Sequence, residues 1–184
     1  LYRVRGFAQA AVKPDIQVLP EAQGVNVAYR PVAIRFEIVE GPQTIVSGVT
    51  FAGNTTIASP ALEAQMALQG GKPFYRPQLS DDRDATVRAY RNQGFQNVSV
   101  ISQLTFANEQ QLVALAWTIR EGDQVRIDHV LITGNSRISS NLIRRELTFR
   151  SGDPMSDEAI LESQRRLAAL GLFRRVRISE LPRT

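Results

Sequence analysis

Apolar residues recur along this chain in two rhythms, and the alternation of the rhythms is itself repeated. Val113, Leu115, Trp117 and Ile119 take every second position, with Ala114, Ala116 and Thr118 between them, the period of a strand with one buried face. Val32, Ile34, Phe36 and Ile38 carry the same phase 81 residues earlier. Val46, Val49 and Phe51, like Ile127, Val130 and Ile132, form short β-rich runs that stop at Gly53-Asn54 and Gly134-Asn135, pairs suited to positive φ in a tight turn. The spacing then becomes helical. Ser59 before Pro60 reads as an N-cap followed by the preferred first helical residue, with Ala61, Leu62, Gln65, Met66 and Leu68 behind it, and Leu142 to Phe149 after Ser140 is the counterpart. Gly71-Lys72-Pro73 and Gly152-Asp153-Pro154 break these helices. A second helix is predicted from about Ser80 to Gln93, and again from Asp157 to Leu170 behind the N-cap Ser156, with Ile160, Leu161, Leu167 and Leu170 as its apolar face. Gly94 and Gly171 end them, and a second strand follows over Val98 to Thr105 and over Val176 to Glu180.

A shift of 81 positions superposes Ile38, Glu40, Gly41 and Gln43 on Ile119, Glu121, Gly122 and Gln124, then Gly53-Asn54 on Gly134-Asn135, Ile57 on Ile138, Ser59 on Ser140, and Gly71 and Pro73 on Gly152 and Pro154. Tyr2-Arg3 and Gly6-Phe7 match Tyr90-Arg91 and Gly94-Phe95 at a shift of 88. The chain is therefore repetitive, which decides its architecture. The expected fold class is α+β, built from tandem β-α-α-β-β modules, each a three-stranded mixed sheet covered on one face by two helices. Residues 1–40 are expected to be the C-terminal part of a first repeat, a helix end plus two strands. Residues 41–121 are a complete repeat, and 122–184 a repeat lacking its last strand, which would leave an open slot between its other two. The joints Glu40-Gly41 and Glu121-Gly122 are short, so limited bending is expected there.

On these residues the chain resembles tandem POTRA (polypeptide-transport-associated) modules, the periplasmic repeats that precede outer-membrane β-barrels. The segment from Arg165 to Val176, with Leu170-Gly171-Leu172-Phe173 at its centre, is similar to the leucine-glycine-aromatic signature of that family. Within the family the likeness is greatest to the barrel-assembly factors, and secretion and translocation porins share the module. The resemblance implies a sheet ordered first, third, second strand, so that the second strand is an exposed edge; here that edge is Val98, Ser99, Val100, Ile101 and Ser102, with Arg174 to Ser179 in the last repeat. Edges of this kind can accept an extended segment as an additional strand. The partners it implies are unfolded outer-membrane protein segments, accessory assembly proteins and a C-terminal membrane barrel, with residence on the periplasmic face of the outer membrane of a Gram-negative-type bacterium.

Charge refines this picture and composition limits it. The net charge is +4, and only Lys13 and Lys72 among the 22 basic residues are lysine. Residues 1–40 carry five basic and four acidic side chains, 41–121 six of each, and 122–184 eleven against eight, so the excess lies at the C-terminal end. Arg174, Arg175 and Arg177 form a candidate basic patch for lipid headgroups or a partner, against the plainer reading of a solvated face. There is no Cys, which excludes disulfides and thiolate metal sites and leaves the compartment open. No apolar run approaches the roughly 20 residues of a membrane helix, and no leader pattern opens the chain. The single His, His129, corresponds to Gly48 at the 81-residue shift, and no catalytic residue, metal site or cofactor is predicted. Asp81, Asp82 and Asp84 open a helix, where acids are favoured by its dipole. The rival of another class is an RNA-binding KH-like repeat: the β-α-α-β core with Gly70-Gly71-Lys72 is similar to it, but the second Gly of its clamp is missing and Asp153-Pro154 would repel phosphate. No nucleic-acid partner is expected.

Overall fold

The computed structural model describes residues 1–19 and 31–181; within the segment expected as the end of a first repeat, residues 20–30 lie outside the described ones. A 3-10 turn at Arg3–Arg5 ends at Gly6 and leads into an antiparallel hairpin of β1 (Ala11–Val18) and β2 (Val32–Val39). Next come β3 (Ile45–Ala52), α1 (Ser59–Glu63), α2 (Gln78–Arg91), β4 (Ser99–Ala107) and β5 (Leu112–Arg120), and then α3 (Ser140–Glu146) and α4 (Asp157–Ala169). The fold class is α+β, as expected. Strands β3, β5 and β4 make one sheet in that order, with the last strand of the module in the middle.

The described chain divides into two compact units, one of residues 1–49, 68–79 and 104–115, the other of 50–67, 80–103 and 116–184. The first is centred on buried Val46, Leu68, Phe74, Val113 and Leu115, with Val49, Leu79 and Leu104 packed against them. Phe106 meets Phe74 edge-on at 5.9 Å. The second buries Leu62, Met66, Tyr90, Trp117 and Ile119, and also Ile143, Phe149, Met155 and Leu167. Burial at each of these large side chains is worth about 1.5–3 kcal/mol.

One joint recurs in both units. In the first, Gln43 Nε2 donates to Arg5 O at 2.9 Å and Thr44 N–H to Gly6 O at 2.9 Å, while Phe74 N–H donates to Thr44 O at 2.8 Å and Val46 N–H to Lys72 O at 2.9 Å. In the second, Gln124 Nε2 donates to Gln93 O at 2.8 Å and Val125 N–H to Gly94 O at 2.8 Å; Met155 N–H donates to Val125 O at 3.0 Å and Ile127 N–H to Asp153 O at 2.9 Å. Gly6 and Gly94 must be glycine: φ is 90° and 92°, and a Cβ would stand 2.5 Å from Thr44 O and 2.6 Å from Val125 O. The Gly-x-Pro segment lies beyond the helix ends, at Glu63 and Glu146, rather than terminating them; it supplies the carbonyls and N–H groups that fasten the segment after each Glu-Gly pair.

Several boundaries differ from the sequence expectation. Ser59 is the first residue of α1, not its cap; Ala58 takes that place. The Ser59 hydroxyl is engaged by Asn54, whose Nδ2 donates to Ser59 Oγ at 3.0 Å and to Ile57 O at 2.9 Å. Asn135 does the same to Ser140 Oγ and Ile138 O, and there Ser139 is the cap, accepting from Leu142 N–H. Helix α1 stops at Glu63, although Met66 and Leu68 are buried beyond it. Helix α2 begins at Gln78, two residues before the expected Ser80. Asp82 is not a solvated dipole partner: it is 2% exposed, and its Oδ1 accepts the Ala67 N–H at 3.0 Å. Ser163, 81 positions on, accepts the Thr148 N–H at 2.9 Å in the same way. The strands expected at 127–132 and 176–180 form no ladder among the described residues; only a bridge from Arg126 to Pro154 is present. Strand hydrogen bonds need a partner, and no described strand lies between them.

Candidate strand-binding edge

Of the residues predicted for the edge, Ser99, Val100, Ile101 and Ser102 lie in β4, and Val98 immediately precedes it. Strand β4 is bonded to β5 alone and ends the β3-β5-β4 sheet. Its inward side is anchored by Val100, 8% exposed, whereas Ile101 is 55% exposed and Ser99 lies open. The approach to it is set by Gly94, by the Phe95 N–H bonded to Tyr90 O at 3.1 Å, and by the Tyr90 and Phe95 rings meeting edge-on at 5.9 Å. An edge of this form offers backbone N–H and C=O groups and one apolar side chain to an extended segment.

Just beyond the same end of α2, helix α4 is docked through polar contacts. Asn92 donates to Glu158 Oε2 at 3.0 Å and accepts the Glu158 N–H at 3.1 Å, and Gln96 Nε2 donates to Met155 O at 2.8 Å.

Sequence reasoning treated Glu121 only as a joint residue. In the structure its carboxylate accepts from the Thr55 hydroxyl, from the Thr56 N–H at 2.8 Å and from the Thr56 hydroxyl at 2.9 Å, tying the end of β5 to the loop after β3. Burial opposes ionisation of Glu121, but the Thr55 and Thr56 donors and neighbouring Tyr90 outweigh it and hold the pKa down at about 2. Burial foremost, and then the Glu121 carboxylate, push the Tyr90 phenol well above its ordinary value. The signal that could have pointed here is the pair of hydroxyl residues directly after Gly53-Asn54.

Arg174, Arg175 and Arg177 are all exposed. Arg174 and Arg175 line an open groove of about 480 Å³ together with the turn Gly134–Ile138 and with Leu172 and Phe173. His129 is exposed beside Asp128 at 3.4 Å. Among the described residues no group of three or more His, Cys, Asp or Glu side chains could hold a metal ion, and no helix is long and apolar enough to cross a membrane.

Residues 44–122 and 125–184 match the POTRA family, described as a surface antigen variable number repeat. The chain belongs to that family. It is similar to the outer membrane protein assembly factor BamA of Neisseria meningitidis serogroup B, 22% identical over 181 residues that cover 98% of this chain and 23% of that protein. The BamA of Nitratidesulfovibrio vulgaris is 22% identical over 171 residues, covering 91% of this chain and 22% of the relative. The chain thus spans about a fifth of the length of these curated relatives. Among solved structures, the POTRA3-5 segment of Haemophilus influenzae BamA shares the fold, with a TM-score of 0.56 and 22% identity over 96% of this chain and 67% of that one.

Proposed function

We propose that this chain is part of a periplasmic, non-catalytic scaffold that holds extended outer-membrane protein segments by strand addition along β4 and docks partner proteins during their assembly. The observation that carries this reading is the placement of β5 in the middle of the sheet, which leaves Ser99–Ser102 at an edge. Family membership and the assembly-factor relatives supply the setting: 41–121 is read as a complete module flanked by parts of two others, at the outer membrane beside a barrel. Backbone bonds do not read side chains, so such an edge suits varied clients. Three or four of them, at about 0.5–1.5 kcal/mol net each, scarcely offset an association cost of about 4–15 kcal/mol. Holding is therefore weak, and an array of modules makes it useful through repeated engagement.

A peptide with the alternating pattern of a membrane-barrel strand, N-methylated along one edge only, tests the mode of binding. The unmodified peptide and the isomer methylated on its outward edge should bind, and the isomer methylated on the pairing edge should not. Equal binding by both isomers would overturn strand addition. The basic patch is read as facing lipid headgroups or the barrel; neutralising Arg174, Arg175 and Arg177 together should weaken binding to anionic vesicles at low salt, and unchanged binding would remove that assignment.

A further inference from the structure

The two Glu-Gly joints are alike in backbone and unlike in side chains. At each, an N–H just after the pair donates to the carbonyl of a positive-φ glycine, Thr44 to Gly6 and Val125 to Gly94. A glutamine amide, Gln43 or Gln124, reaches back to Arg5 O or Gln93 O. The same residue's carbonyl accepts from Phe74 N–H in the first joint and from Met155 N–H in the second. These bonds bring the residues leading into α2, or into α4, beside the turn that the glycine ends.

Side chains add to this frame at the second joint. Asn92 Oδ1 accepts the Glu158 N–H at 3.1 Å and the Ser156 hydroxyl at 3.4 Å, while Asn92 Nδ2 donates to Glu158 Oε2 at 3.0 Å. Ser156 is the N-cap of α4 and takes the Ala159 N–H. Helix α4 therefore begins with one N–H capped by its own segment and another capped from the end of α2, where first-turn N–H groups have no partner within the helix. Gln96 Nε2 donates to Met155 O at 2.8 Å, and Arg91 stands 3.8 Å from the Asp157 carboxylate. A joint held along one line can swing about it; bonds at several separate points fix direction as well as position.

The first joint lacks the groups for this network. The 88-residue shift puts Val4 at the place of Asn92 and Ala8 at that of Gln96, and the 81-residue shift puts Arg76 and Pro77 at those of Asp157 and Glu158. Val4 and Ala8 have no polar side-chain atom, and Pro77 has no N–H to donate. Arg3 and Arg76 set like charges where Arg91 and Asp157 are opposite.

We propose that Asn92, Gln96 and Glu158 make the joint at Glu121-Gly122 stiff, and that bending is concentrated at Glu40-Gly41, which is fastened by backbone bonds and Gln43. Asn92 is the positioning residue, since it caps a helix of the next segment. The difference does not depend on what the β4 edge binds; it determines how far a load on one segment passes to the next.

The chain has no Cys, so spin labels can be placed in pairs at exposed sites, K13C with K72C across the first joint and R83C with R145C across the second. Distance distributions from double electron–electron resonance on the full chain, each variant verified as folded by circular dichroism, test the proposal. The first pair should give a broad distribution and the second a narrow one. N92A with Q96A should broaden the second to the width of the first and speed exchange of the Glu158 amide about tenfold. The Thr148 N–H, bonded to Ser163 Oγ within the last segment, should keep its exchange rate in that variant, which separates a loosened joint from an unfolded helix pair. The transplant V4N with R76D and P77E should narrow the first distribution, because the backbone bonds already place those positions as in the second joint. Equal widths across both joints of the wild type would overturn the proposal. So would a second joint still narrow in the double variant, Thr148 exchange accelerating together with that of Glu158, or a folded transplant whose first joint stays as broad as before.

Discussion

Glu121 sets the acid limit of the module. Its pKa is depressed from 4.5 to about 2. A carboxylate with a depressed folded-state pKa contributes stability that is fully present above the unfolded value and is lost as pH falls through the folded one. Stability should therefore decline between about pH 4.5 and 2, and Glu121→Gln should flatten that decline while costing about 1–3 kcal/mol at neutral pH. Denaturant midpoints across this range check it; an unchanged pH profile in the variant would mean that Glu121 is not the group responsible. Asp82 offers a second comparison. Asp82→Ala strands the Ala67 N–H and should cost about 1–3 kcal/mol, whereas Asp82→Ser, which imitates Ser163 in the last repeat, should recover much of the loss. Neither carboxylate was legible as a structural anchor from sequence. Asp82 stood among three acids at a helix start, where the dipole is a sufficient explanation, and its partner is 15 residues away. Only the finished turn between α1 and α2 brings that N–H within reach.

At the scale of elements, the strands and helices of residues 44–122 were readable because most have both a period and a terminator, as at Gly53-Asn54 and Gly94. Some boundaries moved by a residue or two where a side chain had a better use, as when Asn54 claimed the Ser59 hydroxyl and left Ala58 at the cap, while the first helix of each pair ended early, at Glu63 rather than Leu68 and at Glu146 rather than Phe149. What periodicity could not convey was pairing. Ile127, Val130 and Ile132 have strand character, yet a ladder requires a partner backbone. The joints were visible as Glu-Gly pairs, but their fastening to Gly6 and Gly94 came from backbone bonds that no side-chain pattern encodes. Gly94→Ala would place a Cβ 2.6 Å from Val125 O at φ 92°, and should cost at least about 1–3 kcal/mol through strain and the displaced joint. Amide exchange at Val125 and Ile127 reads this directly: it should accelerate in the variant, and unchanged exchange would show that the joint does not depend on that close approach.

Across the whole chain, residues 41–121 are balanced in charge, six basic against six acidic, and the basic excess lies in 122–184. A strand edge works through backbone groups and is indifferent to charge, whereas the exposed arginines act at a distance that salt shortens. The family was legible because the unit recurs, so each weak signal was read twice at matched spacing; the identity of what binds was not, because a backbone edge writes no side-chain signature into the sequence. The account stands or falls on β4. Hydrogen exchange of the amides of Ser99–Ala107, measured with and without an extended barrel-strand peptide, tests it most directly. The account predicts that alternate amides along the outer edge of β4 slow on binding while those already paired with β5 change little. Peptide binding that protects amides elsewhere and leaves β4 exchanging as before would contradict it.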